Sequence, residues 1–148
     1  MKTIYLVKAR LLAALVLLAG LLLGGCGKPL EEADVMYAGP MLDTILEGIR
    51  VGDYDQFSRD FSEAMKDSIG EEDFPAIVAD LHAKLGDYEG RSFTSAVRAR
   101  NPAVDLMIVK YQARYTNDSD VTITIYFSES NGTRLIEGFL IDSPSLDQ

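Results

Sequence analysis

Val104-Asp-Leu-Met-Ile-Val-Lys-Tyr-Gln-Ala-Arg-Tyr115 is the stretch on which the fold turns. Apolar residues occupy both of its alternating sets: Val104, Leu106 and Ile108 in one, Met107, Val109, Tyr111, Ala113 and Tyr115 in the other. A strand with a solvated back alternates apolar with polar residues, so both faces of this one need cover at least in part. Helices supply one cover. The other is a self-association surface, the wall of a cavity, or nothing beyond the apolar side chains that any sheet exposes.

The neighbouring segments keep the same period of two. Phe93, Val97 and Ala99 alternate with Thr94, Arg98 and Arg100, and Asn101-Pro102 marks a turn into the long strand. Val121-Thr-Ile-Thr-Ile-Tyr-Phe127 alternates cleanly, Asn131-Gly132 is a strong hairpin signal, and Leu135 to Ile141 forms a last strand.

Before Gly86 the period is helical. Apolar residues at 35, 38, 42, 45, 46 and 49 predict a helix that Gly39-Pro40 either kinks or starts and that Gly52 closes. Asp53 reads as the N-cap of a second helix, with Tyr54, Phe57, Phe61, Ala64, Met65 and Ile69 as one stripe ending at Gly70. A third, from about Glu72 to Leu85, turns Phe74, Ile77, Val78, Leu81 and Leu85 inward. Helices followed by strands predict an α+β domain: about three N-terminal helices packed on a four-stranded antiparallel sheet, spanning residues 33–142, with 143–148 as a C-terminal tail.

The chain opens differently. Lys2, Lys8 and Arg10 precede Leu11 to Leu23, thirteen uncharged residues, which has the shape of a secretory signal peptide over residues 1–25. The apolar run is short against the roughly 20 residues of a membrane-spanning helix. Without it, 123 residues remain, with 11 basic against 23 acidic side chains, a formal charge of −12. Such a surface repels phosphate backbones, so no nucleic-acid partner is expected. Residues 26–32 read as a short tether, its Gly27 to Glu32 part reaching at most about 20 Å when extended.

Leu23-Gly24-Gly25-Cys26 resembles the lipobox of bacterial lipoproteins. The resemblance implies cleavage before Cys26, a diacylglycerol thioether on its sulfur, and an acyl chain such as palmitate on the new N-terminus. It implies a cell-envelope protein anchored on the extracytoplasmic side of a bacterial membrane, the outer membrane where there is one. The membrane is then a partner through the lipid on Cys26, and Leu23, Gly24 and Gly25 are what the signal peptidase recognises. Cys26 is also the chain's only cysteine, which excludes an intrachain disulfide.

Ile49-Arg-Val-Gly-Asp-Tyr-Asp-Gln-Phe-Ser-Arg-Asp-Phe-Ser-Glu-Ala-Met65 with the later Leu85-Gly-Asp-Tyr88 resembles an uncharacterised domain of bacterial and archaeal lipoproteins. That domain is similar to the nuclear-transport-factor-2-like, or cystatin-like, fold, in which a bent sheet wraps helices into a cone. The resemblance implies a fold and a cavity, and carries no activity.

The remaining chemistry is narrow. His82 is the only histidine, which excludes a two-histidine metal site and leaves a Ser/His/Asp machine no spare base; its place beside Leu81 reads as helix-edge packing. Asp53 to Asp55, Glu71 to Asp73 and Asn117 to Asp120 are the densest acidic groups, each at a helix start or a turn. The last has oxygen ligands but lacks the spacing of a calcium loop. No catalytic residue, metal or cofactor is expected. The reading is a membrane-anchored, non-enzymatic module that binds an envelope protein or a small apolar ligand, with Met107, Val109, Tyr111, Tyr115 and Tyr126 as the pocket wall or homodimer face. The rivals are a metal-free enzyme using Asp53 or Asp105 in a pocket lined by Tyr111 and Tyr126, and a purely structural envelope protein.

Overall fold

A computed structural model describes residues 29–101 and 103–147. The signal peptide, the lipobox and Cys26 lie outside the described residues. Among the described residues four α-helices pack on a five-stranded antiparallel sheet in an α+β arrangement. The helices are α1 (Ala38–Val51), α2 (Tyr54–Ser58), α3 (Glu63–Ser68) and α4 (Phe74–Leu85). The strands are β1 (Pro29–Leu30), β2 (Tyr88–Asn101), β3 (Val104–Tyr115), β4 (Val121–Ser130) and β5 (Thr133–Asp142), and they pair in chain order.

α1 buries Ala38, Leu42, Ile45, Leu46 and Ile49, the stripe its spacing predicts. Gly52 closes it in a left-handed conformation, its N–H donating to the carbonyls of Gly48 and Ile49. The Asp53 side chain then caps α2 by accepting from the Gln56 N–H at 3.0 Å. α1 and α2 touch backbone to side: a Cβ on Gly48 would come within 2.5 Å of the Phe57 nitrogen.

The single helix expected from Asp53 to Ile69 is two. Between α2 and α3 the chain leaves the helical path so that Phe61 bridges Ile136 in parallel. The Ile136 N–H donates to the Asp60 carbonyl at 2.8 Å, and the Ser62 N–H to the Ile136 carbonyl at 2.9 Å. These bonds satisfy an otherwise open edge of β5, and Ser62 then caps α3. The apolar stripe hides the break, because Phe57, Phe61, Met65 and Ile69 are all buried in the broken form too; Ala64 alone is exposed.

The sheet has one strand more than expected. Pro29 and Leu30, read as tether, pair with Val97 and Ala96 at the edge of β2. β2 starts five residues earlier than its alternation indicates and carries irregularities at Tyr88/Gly90 and Phe93/Ser95. The second inserts Thr94 as a bulge and switches parity, so Phe93 packs inward while Val97 faces out, 39% exposed. Asn131 and Gly132 both adopt positive φ, 53° and 77°, the signature of the tight hairpin turn their sequence announces.

The end of the chain is no free tail. Pro144–Asp147 forms a 3-10 turn, Leu146 is buried, and Lys84 Nζ donates to the Leu146 carbonyl at 3.3 Å. Asp118 in the β3–β4 turn accepts from the Ser143 hydroxyl and the Ser145 N–H. All buried strand hydrophobics, among them Ala96, Val109, Tyr111, Ala113, Val121, Ile123, Ile125, Phe127 and Ile136, face the helices and form one core with them.

Candidate functional site

The five residues expected to share one pocket or dimer face are divided by the sheet. Val109, Tyr111, Ala113 and Tyr115 lie on the helix side and are buried, with Met107 partly buried beside them. Tyr126 pairs with Ile108 and Gly138 and so lies on the opposite face, its ring against Gly138. The middle of the helix side is filled: Val109 and Ala113 are 0% exposed and Tyr111 is 1% exposed. What remains open lies at its margins, where Tyr111 and Tyr115 stand about 13 Å apart along β3.

α1 crosses this margin beside β2 and leaves a hollow at each end. At its N-terminal end Glu32, Val35, Met36, Gly39, Arg91 and Tyr111 line a wide hollow of about 420 Å³. Arg91 is committed there. Its Nε and Nη2 donate to the two carboxylate oxygens of Asp43, both at 3.0 Å, and its guanidinium lies 4.7 Å from the Tyr111 ring centre. The room for it comes from Ala113, the small residue opposite Arg91 in the β2–β3 register.

At the other end of α1 a more enclosed hollow of about 380 Å³ is lined by Leu46, Ile49, Leu81, Tyr88 and Tyr115, with Arg50, His82 and Asp87 at its polar margin. Tyr88 and Tyr115 face each other across β2 and β3, ring centres 5.5 Å apart in an edge-on arrangement. Burial pushes the Tyr115 hydroxyl well above the usual phenol range, with Tyr88 adding to it, and burial likewise raises Tyr88. Both rings therefore stay neutral near pH 7 and offer a hydroxyl that donates or accepts. Gly86 makes the corner where α4 ends and β2 begins, at φ 76° and ψ −149°, a conformation essentially confined to glycine. A Cβ there would stand 2.0 Å from Thr116 Oγ1.

His82, read from sequence as packing, is half-buried and contributes to this wall. Tyr88, Asp87 and Arg50 are wall residues that sequence reasoning did not select. Leu85-Gly-Asp-Tyr88 contains Asp87 and Tyr88, and the Ile49 to Met65 stretch contains Arg50, but only the packing of α1 and α4 beside the Tyr88–Tyr115 pair brings them to one place.

The carboxylates named for an enzyme are elsewhere. Asp53 caps α2 and is exposed. Asp105 is bound by Arg98 through two hydrogen bonds of 2.7 Å, which hold its carboxyl below the usual range. With Tyr111 and Tyr126 on opposite faces, the pocket expected for either acid is not formed. Among the described residues no three His, Cys, Asp or Glu side chains gather as a metal site needs. No described helix is long and apolar enough to cross a membrane.

These features define an α+β domain whose filled core is flanked by two hollows beside one helix. The chain belongs to the family described as "Protein of unknown function (DUF3887)", whose model matches residues 43–139, from the Asp43 of the ion pair to β5. No curated protein and no solved structure matches it.

Proposed function

We propose that this is a lipid-anchored lipoprotein of the bacterial cell envelope, and that its domain is a non-enzymatic binding module taking a small amphipathic ligand in the hollow of His82, Tyr88 and Tyr115. The observation that carries the reading is the lining itself. An apolar floor of Leu46, Ile49, Leu81 and two tyrosines, edged by Arg50, His82 and Asp87, combines hydrophobic burial with a few orienting polar groups. Small-molecule sites have this make-up and start at about 300 Å³. The hollow beside Arg91 is a weaker candidate, since Asp43 already occupies its guanidinium.

The address rests on the lipobox-like Leu23-Gly24-Gly25-Cys26 behind a signal-peptide-like run, and delivery to an outer membrane, where there is one, on Gly27 following the cysteine. Two or more acyl chains anchor a protein stably where one does not. The sheet, bent by bulges at Glu89, Thr94 and Glu137, supports the likeness to the nuclear-transport-factor-2-like fold.

The anionic amphipathic dye 1-anilinonaphthalene-8-sulfonate tests the hollow. The chain without residues 1–25 should bind one dye per molecule with enhanced emission. Leu81→Trp, which fills the hollow from a half-buried helix position, should abolish that binding while leaving the thermal midpoint close to wild type. Undiminished binding by the Leu81→Trp variant would remove the hollow from the account.

A further inference from the structure

The face of the sheet opposite the helices is apolar where the chain enters it. Val97 and Leu140 are 39% and 36% exposed, and Leu106, Ile108 and Tyr126 are half-buried around them. In the register Val97, Ile108, Tyr126 and Gly138 lie side by side on four strands, a row about 15 Å wide. Described core hydrophobics of the helices all pack on the other side. We propose that this face lies on the lipid surface to which the chain is anchored, with Ile108 and Tyr126 at the centre of the contact; the proposal rests on the lipid at Cys26.

Two observations choose lipid as the occupant. The first is reach. Leu30 packs on the core, so Pro29, one residue away in β1, is turned to the outer face beside Val97. Only Gly27 and Lys28 lie between Cys26 and Pro29, three residue steps or about 10 Å of chain. A lipid on Cys26 therefore brings the bilayer to the edge of the apolar row, closer than the expected tether to Glu32 would allow. A tyrosine half exposed at such a place suits the headgroup boundary, where its ring is buried and its hydroxyl stays wet.

The second is charge. The domain as a whole is strongly acidic, yet the charged residues that β3 turns to this face, Lys110 and Arg114, are both basic and exposed. Acidic Glu137 and Asp142 stand on β5, the strand farthest from β1. Lys110, opposite Ser95, stands nearer Val97, where the tether arrives, than either acid on β5 does, which suits lipid phosphates.

The chain contains no tryptophan, so one introduced residue reports alone. Full-length protein carrying Ile108→Trp, Leu140→Trp or, on the far side of α4, Ala79→Trp is purified from bacterial membranes. It is then placed in phosphatidylcholine vesicles with or without bromine on the acyl chains, and the intact mass of each sample reports the lipid on Cys26. The expected result is loss of most emission from the Ile108→Trp and Leu140→Trp variants in brominated vesicles, with Ala79→Trp unaffected. Lipidated protein with no quenching on the sheet face, or with equal quenching at Ala79→Trp, overturns the proposal and leaves the anchor standing. Quenching absent in a lipidated dimer assigns the face to a second copy and overturns it as well. An unmodified Cys26 overturns both the anchor and this orientation. Circular dichroism of all three variants separates these outcomes from misfolding.

Discussion

Arg91 on β2 grips Asp43 on α1 through two hydrogen bonds and lies across the ring of Tyr111, so one side chain ties helix, strand and buried aromatic together at the hollow by the N-terminal end of α1. Its side chain is only 17% exposed, while that of Asp43 is 59% exposed. An exposed pair contributes at most about 1 kcal/mol, and stacking on an aromatic ring adds a comparable amount where it is partly desolvated. Arg91→Ala should therefore lower the unfolding free energy by about 1–2 kcal/mol, read from the denaturant midpoint. Arg91→Lys should recover less than half of this, because an ammonium supplies neither the fork nor the planar stack. Full recovery by lysine would reduce the contact to simple charge.

Gly48 is where α1 and α2 come together. Alanine normally favours a helix over glycine by about 1 kcal/mol. At Gly48 that gain is overridden, because its Cβ would fall 2.5 Å from the Phe57 nitrogen and 2.7 Å from its Cα, backbone atoms that cannot turn aside. Gly48→Ala should destabilise the domain by about 1–3 kcal/mol. At Gly70 the nearest atom to a new Cβ is 3.8 Å away, and Gly70→Ala should be close to neutral. Thermal unfolding of the two variants side by side checks the contrast.

The Asp118 carboxyl is held down to about 2, chiefly by the Ser143 hydroxyl and then by the Asp120 N–H, with the contacts to Ser145 adding to them. A carboxyl whose pKa is lower folded than unfolded stabilises the fold above its ordinary value and loses that contribution as pH falls through the folded one. Asp118→Asn should be less stable than wild type near neutral pH, by about 1 kcal/mol for the weakened hydrogen bonds. The gap should close as the pH falls from about 4 to about 2. Denaturation curves across that range provide the test, and a gap constant with pH would mean that the charge contributes nothing.

Much of this architecture can be read from residue order. The switch from helical to alternating period at Gly86 separates the helices from β2 to β5 correctly, and β3 runs over the residues its pattern predicts. The failures are local and have causes. One inserted residue, Thr94, reverses the parity of β2, and alternation cannot reveal a bulge that falls inside it. The break at Phe61 is invisible because the bridge to Ile136 keeps the same side chains buried. Tyr126 was legible and misassigned: it alternates with Val121, Ile123, Ile125 and Phe127, all buried, and shares its face with Thr122 and Thr124. The hollow of His82, Tyr88 and Tyr115 draws on α1, α4, β2 and β3, and no spacing along the chain encodes that meeting.

The most direct test of a binding module is the mass of the protein purified from the cells that express it, recorded once under native and once under denaturing conditions. Denaturation leaves only covalent groups, which shows whether Cys26 carries a lipid. The predicted result is an additional mass, one per chain, present in the native spectrum, lost on denaturation and absent from the Leu81→Trp variant. Native and denatured masses that agree, in a correctly folded protein, would contradict a ligand in the hollow.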